Sequence, residues 1–205
     1  MRSDQSARLQ DEFGSIDIYL FDQLLRGRFD ARRRIIDAGC GSGRNLPYFL
    51  RNGFDVRAAD ADASAVQSVR RLGASLVPGF EAERVHHGAL DALPWEGESA
   101  DAVICSAVLH FSRDEAEFVS IVRELWRVLV PGGLFFARLA SSIGIETHLP
   151  VTRGRVRLPD GSDRFVVDER MLLDVSAALG GHLADPIKTT NVQNMRCMTT
   201  WALEK

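Results

Sequence analysis

"IIDAGCGSGRN", residues 35–45, decides the fold. A short apolar run ends in an acid, Asp37, glycines follow at 39, 41 and 43, and the chain then turns basic and polar. "RRIIDAG" reads as a buried strand, and "NLPYFLRNG" reads as a helix with Pro47 in its first turn and Gly53 as its stop. Glycines between a strand and a helix let the backbone take positive φ and approach a ligand closely. The helix then aims its N-terminus at that ligand. The spacing argues against two common occupants. A dinucleotide fingerprint needs GxGxxG, and Arg44 stands where its last glycine belongs. A Walker loop needs Gly-Lys-Ser/Thr, which does not follow. Asp37, two residues before the first glycine, would repel a pyrophosphate and suits a cation or an ammonium group.

Outward from this loop the chain alternates. "FDVRAADAD" is a second strand ending in Asp60, placed to accept hydrogen bonds from ribose hydroxyls. "ASAVQSVRRLG" is a helix expected to end at Gly73. "ERVHHGAL" and "ADAVICSAVLHF" are strands three and four. "RDEAEFVSIVRELWRVLVPGG" is an amphipathic helix stopped by Pro131-Gly132-Gly133, and "LFFARLA" is strand five. Upstream, Ile16, Leu20 and Leu24 form a helical stripe closed by Gly27. Downstream, residues 141–164 are less regular, with Arg153, Arg155 and Arg157 alternating before a "PDG" turn, as on one face of a short hairpin. Asp168 is placed to cap a following helix. Two last strands, near 183–190 and 195–203, have too short a connection to be parallel neighbours, so they pair antiparallel. The expected architecture is α/β: one Rossmann-like, doubly wound, seven-stranded sheet, mostly parallel, with one antiparallel strand at the C-terminal end.

The chain of 205 residues is expected to form one domain. A net charge of -3 argues against a general nucleic-acid binder, and Arg32-Arg33-Arg34 reads as a solubilising flank of strand one. Cys40, Cys105 and Cys197 show no CxxC spacing, which points to a reduced, cytoplasmic interior. His86 and His87 are neighbours that would face opposite sides of a strand, and no metal centre is expected. Neither a membrane nor a nucleic acid is expected as a partner.

"DAGCGSGRN", "VRAADAD", "LPW", "ADAVICSAVLHF" and "LVPGG", in this order, resemble the class I S-adenosylmethionine-dependent methyltransferases over about residues 30–140. Within that class, "GCGSGRNLPYFLRNGFDV" resembles the tellurite-resistance methyltransferases. The resemblance implies S-adenosylmethionine as cofactor, with Gly39, Gly41 and Gly43 against its methionine portion and Cys40 and Asn45 in the same loop. Asp37 would lie near its amino group, Asp60 on the ribose hydroxyls and Ala61 beneath the adenine. Ser106 and Ala107 would border the methyl group. The family's acid after strand three is replaced by Ala89, leaving Leu90 to offer backbone and apolar contact. The His-Arg pair of the tellurite-type pattern is replaced by Lys188-Thr189.

Methyl transfer from a sulfonium needs alignment and exclusion of water, and a base only where the acceptor must lose a proton of high pKa. The implied activity is methyl transfer to a small molecule. His110 is the best-placed group to act as base or to orient the acceptor, against a purely structural role under the lid. Arg138 can pin an anion or pair locally. Tyr19 can close over the site from an N-terminal helical lid, residues 1–30, and residues 141–164 form a substrate-side insertion. Two alternatives stand beside this reading: a non-catalytic module that only binds the cofactor, and a nicotinamide-dependent Rossmann oxidoreductase.

Overall fold

The computed structural model describes residues 4–205; the first three residues of the expected lid lie outside the described part. Two helices open it, α1 (Asp4–Phe13) and α2 (Ile18–Leu25). There follow β1 (Arg34–Ala38), α3 (Pro47–Arg51), β2 (Asp55–Asp60), α4 (Ala63–Leu76), β3 (Val85–His87), β4 (Ala100–Ser106), α5 (Glu115–Arg127) and β5 (Leu129–Ser141). The hairpin β6 (Gly154–Arg157) and β7 (Asp163–Val166) leads to α6 (Glu169–Ala178), β8 (His182–Leu183), β9 (Lys188–Val192) and β10 (Arg196–Glu204).

The main sheet runs β3-β2-β1-β4-β5-β10-β8, with β9 also paired to β10. Strands β1 to β5 are parallel, and β10 runs against β5 from Cys197 opposite Ser141 to Glu204 opposite Leu134. The sheet therefore has eight strands rather than seven. The edge that pairs with β10 is shared by two short pieces, β8 and β9, because Pro186 between them has no N–H to donate. The neighbouring Asp185 turns its carboxylate to α2, accepting from Gln23 at 2.7 Å and pairing with Arg26 and Arg28 at 3.3 Å.

Alternation along the central strands builds both cores, because strands buried on two faces are apolar at every position. Ile36, Val103, Cys105, Phe135 and Ala137 face α5 and α6, where they meet Phe118, Leu125, Met171 and Leu172. Ile35, Ala102, Ile104, Leu134 and Phe136 face α2, α3 and α4, against Leu20, Phe49, Val66 and Val69. Trp201 on β10 is fully buried, its ring 5.3 Å from that of Phe135, and its indole N–H donates to Ser176 Oγ of α6 at 3.1 Å.

Two expected helix ends move. α4 runs through Gly73 to Leu76, because that glycine is a point of close packing: a Cβ there would lie 2.4 Å from the Phe80 ring. α5 stops at Arg127, before the Pro-Gly-Gly, which instead forms an irregularity at the start of β5 where the register with β4 shifts between Ala100 and Ala102. The "PDG" hairpin forms as expected, pairing Gly154 with Val166 and Arg157 with Asp163. Asp168 caps α6, its Oδ1 accepting from the Met171 N–H at 2.7 Å. The triple-arginine flank is structural: Arg34 pairs with Asp101 at 2.6 Å and Arg33 lies over the Phe54 ring.

Candidate functional site

Three apolar rows of the sheet end in a polar residue on the same face. Asp37 continues Ile35 on β1, Ser106 continues Ala102 and Ile104 on β4, and Arg138 continues Leu134 and Phe136 on β5. The pairings of Asp37 with Ile104 and of Ser106 with Arg138 gather all three at the carboxyl ends of the strands. Ligands of open α/β sheets bind there. On that face arrives Asp17, the N-cap of α2, with its side chain 1% exposed. Asp17 Oδ1 accepts from the Tyr19 N–H at 3.0 Å. Its Oδ2 accepts from Arg44 at 3.3 Å, from the Ser106 hydroxyl at 3.1 Å and from Arg138 at 3.2 Å. The Asp17 N–H in turn donates to Asn45 Oδ1 at 3.0 Å.

The glycine loop is fixed from below. The N–H groups of Gly39 and Cys40 donate to the Ala59 carbonyl, and that of Gly41 donates to Asp60 Oδ2 at 2.8 Å. Asp60 Oδ1 also accepts from the Asp62 N–H at 2.9 Å. Gly39, at φ +73°, is required twice over, since a Cβ would meet Val108 at 2.4 Å. Gly41, at φ +52°, has no atom within 4 Å of such a Cβ, so the loop presents bare backbone to open space. Beneath it Asp37 is 1% exposed and its Oδ2 has no hydrogen-bond partner among the described residues. Burial raises its pKa to about 7, with Arg44 pulling down and Asp60 pushing up. Burial and the Asp37 charge likewise raise the Cys40 and Cys105 thiols, so neither offers a thiolate.

Above the loop is a cleft of about 500 Å³. The β1–α3 loop and the segment after β4 form one side, and the end of β5, the β6–β7 hairpin and the β9–β10 region form the other. His110 lines it, 5% exposed, with Nδ1 accepting from the Ala140 N–H at 3.3 Å. In the neutral ring the proton is therefore on Nε2, which makes that atom a donor. Burial first, and then Arg164, Arg138 and Arg196, lower the His110 pKa to about 4. A wider groove of about 770 Å³ along α5, by Val119 and Arg123, holds none of these loop residues.

Residues 36–137, about half of the chain, match the methyltransferase domain family. The chain belongs to the class I S-adenosylmethionine-dependent methyltransferases. It is 32% identical over 118 residues to the uncharacterized methyltransferase YodH of Bacillus subtilis, covering 56% of this chain and 43% of that one. It is also 32% identical over 120 residues to a malonyl-[acyl-carrier protein] O-methyltransferase of Enterobacter lignolyticus, covering 57% and 44%. The chain thus spans less than half the length of these curated relatives. Its fold matches the Burkholderia thailandensis 1,6-didemethyltoxoflavin-N1-methyltransferase, solved with bound 1,6-didemethyltoxoflavin and S-adenosylhomocysteine, at a TM-score of 0.66 and 18% identity, covering 98% and 86% of the two chains. S-adenosylmethionine is the cofactor of this methyltransferase family.

In this methyltransferase Gly39, Cys40, Gly41, Asn45, Ser106, Ala107, His110 and Arg138 come together around the cleft. Asp37 lies buried below them, Asp60 braces the loop from the side, and Gly43 packs against Leu72 of α4. Ala61 and Ala89 are exposed and Leu90 is buried, all three outside the cleft lining. The His87 ring reaches across to the Ala61 carbonyl at 3.1 Å. Tyr19 stands behind Arg138 rather than in the cleft: its ring centroid is 5.0 Å from the guanidinium carbon, and its hydroxyl bonds Thr190. Sequence reading missed Asp17, Arg44 and Arg196 as parts of the site. The cap position of Asp17 was legible, but its partners Arg44, Ser106 and Arg138 lie 27, 89 and 121 residues away.

Proposed function

We propose that the protein transfers the methyl group of S-adenosylmethionine to a small-molecule acceptor held in this cleft. The buried Asp37 Oδ2, without a hydrogen-bond partner among the described residues and under a loop whose Gly41 backbone faces open space, carries this reading. A buried acid without a donor is costly unless a ligand brings one, and an ammonium group does. The residues fit the cofactor: Gly39 and Gly41 admit its methionine portion, Asp37 meets its ammonium, and Asp60 keeps free lone pairs for ribose hydroxyls. Ala61 and Leu90 flank the adenine, with Ala89 in place of the family's acid. When bound, the cofactor supplies a methyl group already activated on sulfur.

The chain's own residues then align the acceptor and exclude water. Ser106 and Ala107 border the transferred group. His110 orients the acceptor through Nε2–H, since a ring with a pKa near 4 is a weak base at neutral pH. Arg138 holds a negatively polarised part of the acceptor, and Tyr19 holds Arg138. The lid formed by α1 and α2 is latched by Asp17, and residues 141–164 act as the substrate-side insertion, delivering Leu158, Asp160, Ser162 and Arg164 to the cleft. Lys188 lies against the Tyr19 ring and Thr189 bonds Thr199, both outside the cleft lining, so tellurite is not the acceptor we propose. A cytoplasmic location is supported by three free, buried cysteines, and no helix among the described residues is long and apolar enough to cross a membrane.

Methyl-labelled S-adenosylmethionine incubated with the protein and separated metabolite, tRNA and protein fractions of a cell extract tests the reading. Label is expected among the metabolites. Label entering tRNA or an acyl-carrier protein instead would reject the small-molecule acceptor, and no label anywhere would favour a module that only binds the cofactor.

A further inference from the structure

We infer, on the footing of that reading, that the acceptor is a small organic acid, bound as its carboxylate by Arg138, Arg164 and Arg196 with its apolar body against Leu158 and Met198. Among the described residues four arginines line the cleft (these three and Arg44) against one carboxylate, that of Asp160. The chain as a whole is acidic, at -3, so this excess of positive charge is local. The three cations come from three separate elements: β5, β7 and the first residue of β10. None is fully neutralised where it stands. Arg138 shares Asp17 with Arg44, and its buried Nε has no partner among the described residues. Arg164 lies over the Phe111 ring and donates to its neighbour's carbonyl. Arg196 meets Asp160 only at 3.5 Å, with its side chain 54% exposed.

A neutral donor joins the arginines on this wall. It is His110 Nε2–H, held in that tautomer by the Ala140 N–H and kept neutral by burial and the same three arginines. Cationic donors that outnumber the carboxylates four to one in the cleft lining call for an anionic ligand, and a planar guanidinium matches a carboxylate through two parallel hydrogen bonds. Asp17 already shows a carboxylate held between guanidiniums at this site, its Oδ2 accepting from both Arg44 and Arg138. Leu158, 3% exposed, and the half-buried Met198 supply the apolar surface for the remainder of the acid. A cationic acceptor would be repelled, and a neutral one would leave the guanidiniums unbalanced.

Calorimetric titration of the full chain with hexanoate, hexanamide and hexylphosphonate tests this, with S-adenosylhomocysteine titrated separately. Hexanoate is expected to bind about tenfold or more tightly than hexanamide. Arg164→Ala and Arg196→Ala should each weaken hexanoate by about tenfold, with S-adenosylhomocysteine binding unchanged. Arg164→Lys and Arg196→Lys should restore part of the loss, which separates charge from any damage to the hairpin. Equal binding of acid and amide, indifference to the alanine variants, or no binding of hexanoate would overturn the inference. Preference for hexylphosphonate would overturn the carboxylate in favour of a phosphate head group. A protein that binds hexanoate but not S-adenosylhomocysteine keeps the acid site and loses the methyl-transfer reading instead.

Discussion

Asp37 is the residue on which cofactor affinity should turn. Its carboxyl is half protonated near pH 7, and an ammonium group pairs only with the carboxylate, so binding below that pH must expel a proton. Calorimetry with S-adenosylhomocysteine between pH 6 and pH 8 should show affinity rising with pH and levelling off above about 7. Asp37→Asn should bind more weakly and lose that slope; a flat wild-type profile would remove the ammonium contact. Asp60→Ala should weaken the same ligand by about 1–3 kcal/mol through lost charge-assisted hydrogen bonds, partly through release of the Gly41 N–H. Unchanged affinity would place Asp60 outside the site. Both acids were legible in the sequence, Asp37 just before the glycine loop and Asp60 at the end of the second strand. What periodicity could not supply was the state of Asp37, which depends on complete burial by residues of other elements.

At the scale of elements, the contact that matters most joins α2 to the strand ends. Asp17→Asn keeps a capping side chain but removes the charge that Arg44 and Arg138 share. Breaking a buried ion pair from one side costs about 3–5 kcal/mol, and the partial exposure of both arginines reduces this to about 2 kcal/mol. Urea denaturation should register that loss, and trypsin should cut faster at Arg26 and Arg28 as α2 loosens. A variant as stable and resistant as the wild type would show that the latch is held by apolar packing alone. The strand-helix alternation was readable over almost the whole chain, because each element carries its own hydrophobic period. The misread features have causes that lie elsewhere in the chain. Gly73 continues α4 because Phe80 packs against it, and the eighth strand arises because Pro186 interrupts one sheet edge.

For the whole molecule, stability against pH should reflect two buried groups with opposite signs. Asp37 has its pKa raised in the folded state, so it lowers stability progressively as pH rises from about 4 to about 7. His110 has its pKa lowered, so it lowers stability as pH falls from about 6.5 to about 4. Relative to wild type, Asp37→Asn should gain stability as pH rises to about 7, and His110→Asn should gain it as pH falls below about 6.5, each by a few kcal/mol. Chemical denaturation across this range measures both difference curves. Curves that run parallel to the wild type would show that neither group titrates differently on folding.

The sequence by itself determined the layers of this protein, the parallel order with its reversed last strand, and the position of a ligand loop rich in glycine beside two acids. These follow from interactions between near neighbours: alternation, helical periodicity, capping and turn chemistry. Only the tertiary structure decided that Asp17 reaches Arg44, Ser106 and Arg138, that His110 is held as a donor, and that Arg138, Arg164 and Arg196 converge on one cleft. Charge in a sequence says nothing of direction. Which arginines face one another depends on the closing of the sheet by β10 and the folding of the β6–β7 hairpin over the strand ends, and those long-range contacts leave no local pattern to read.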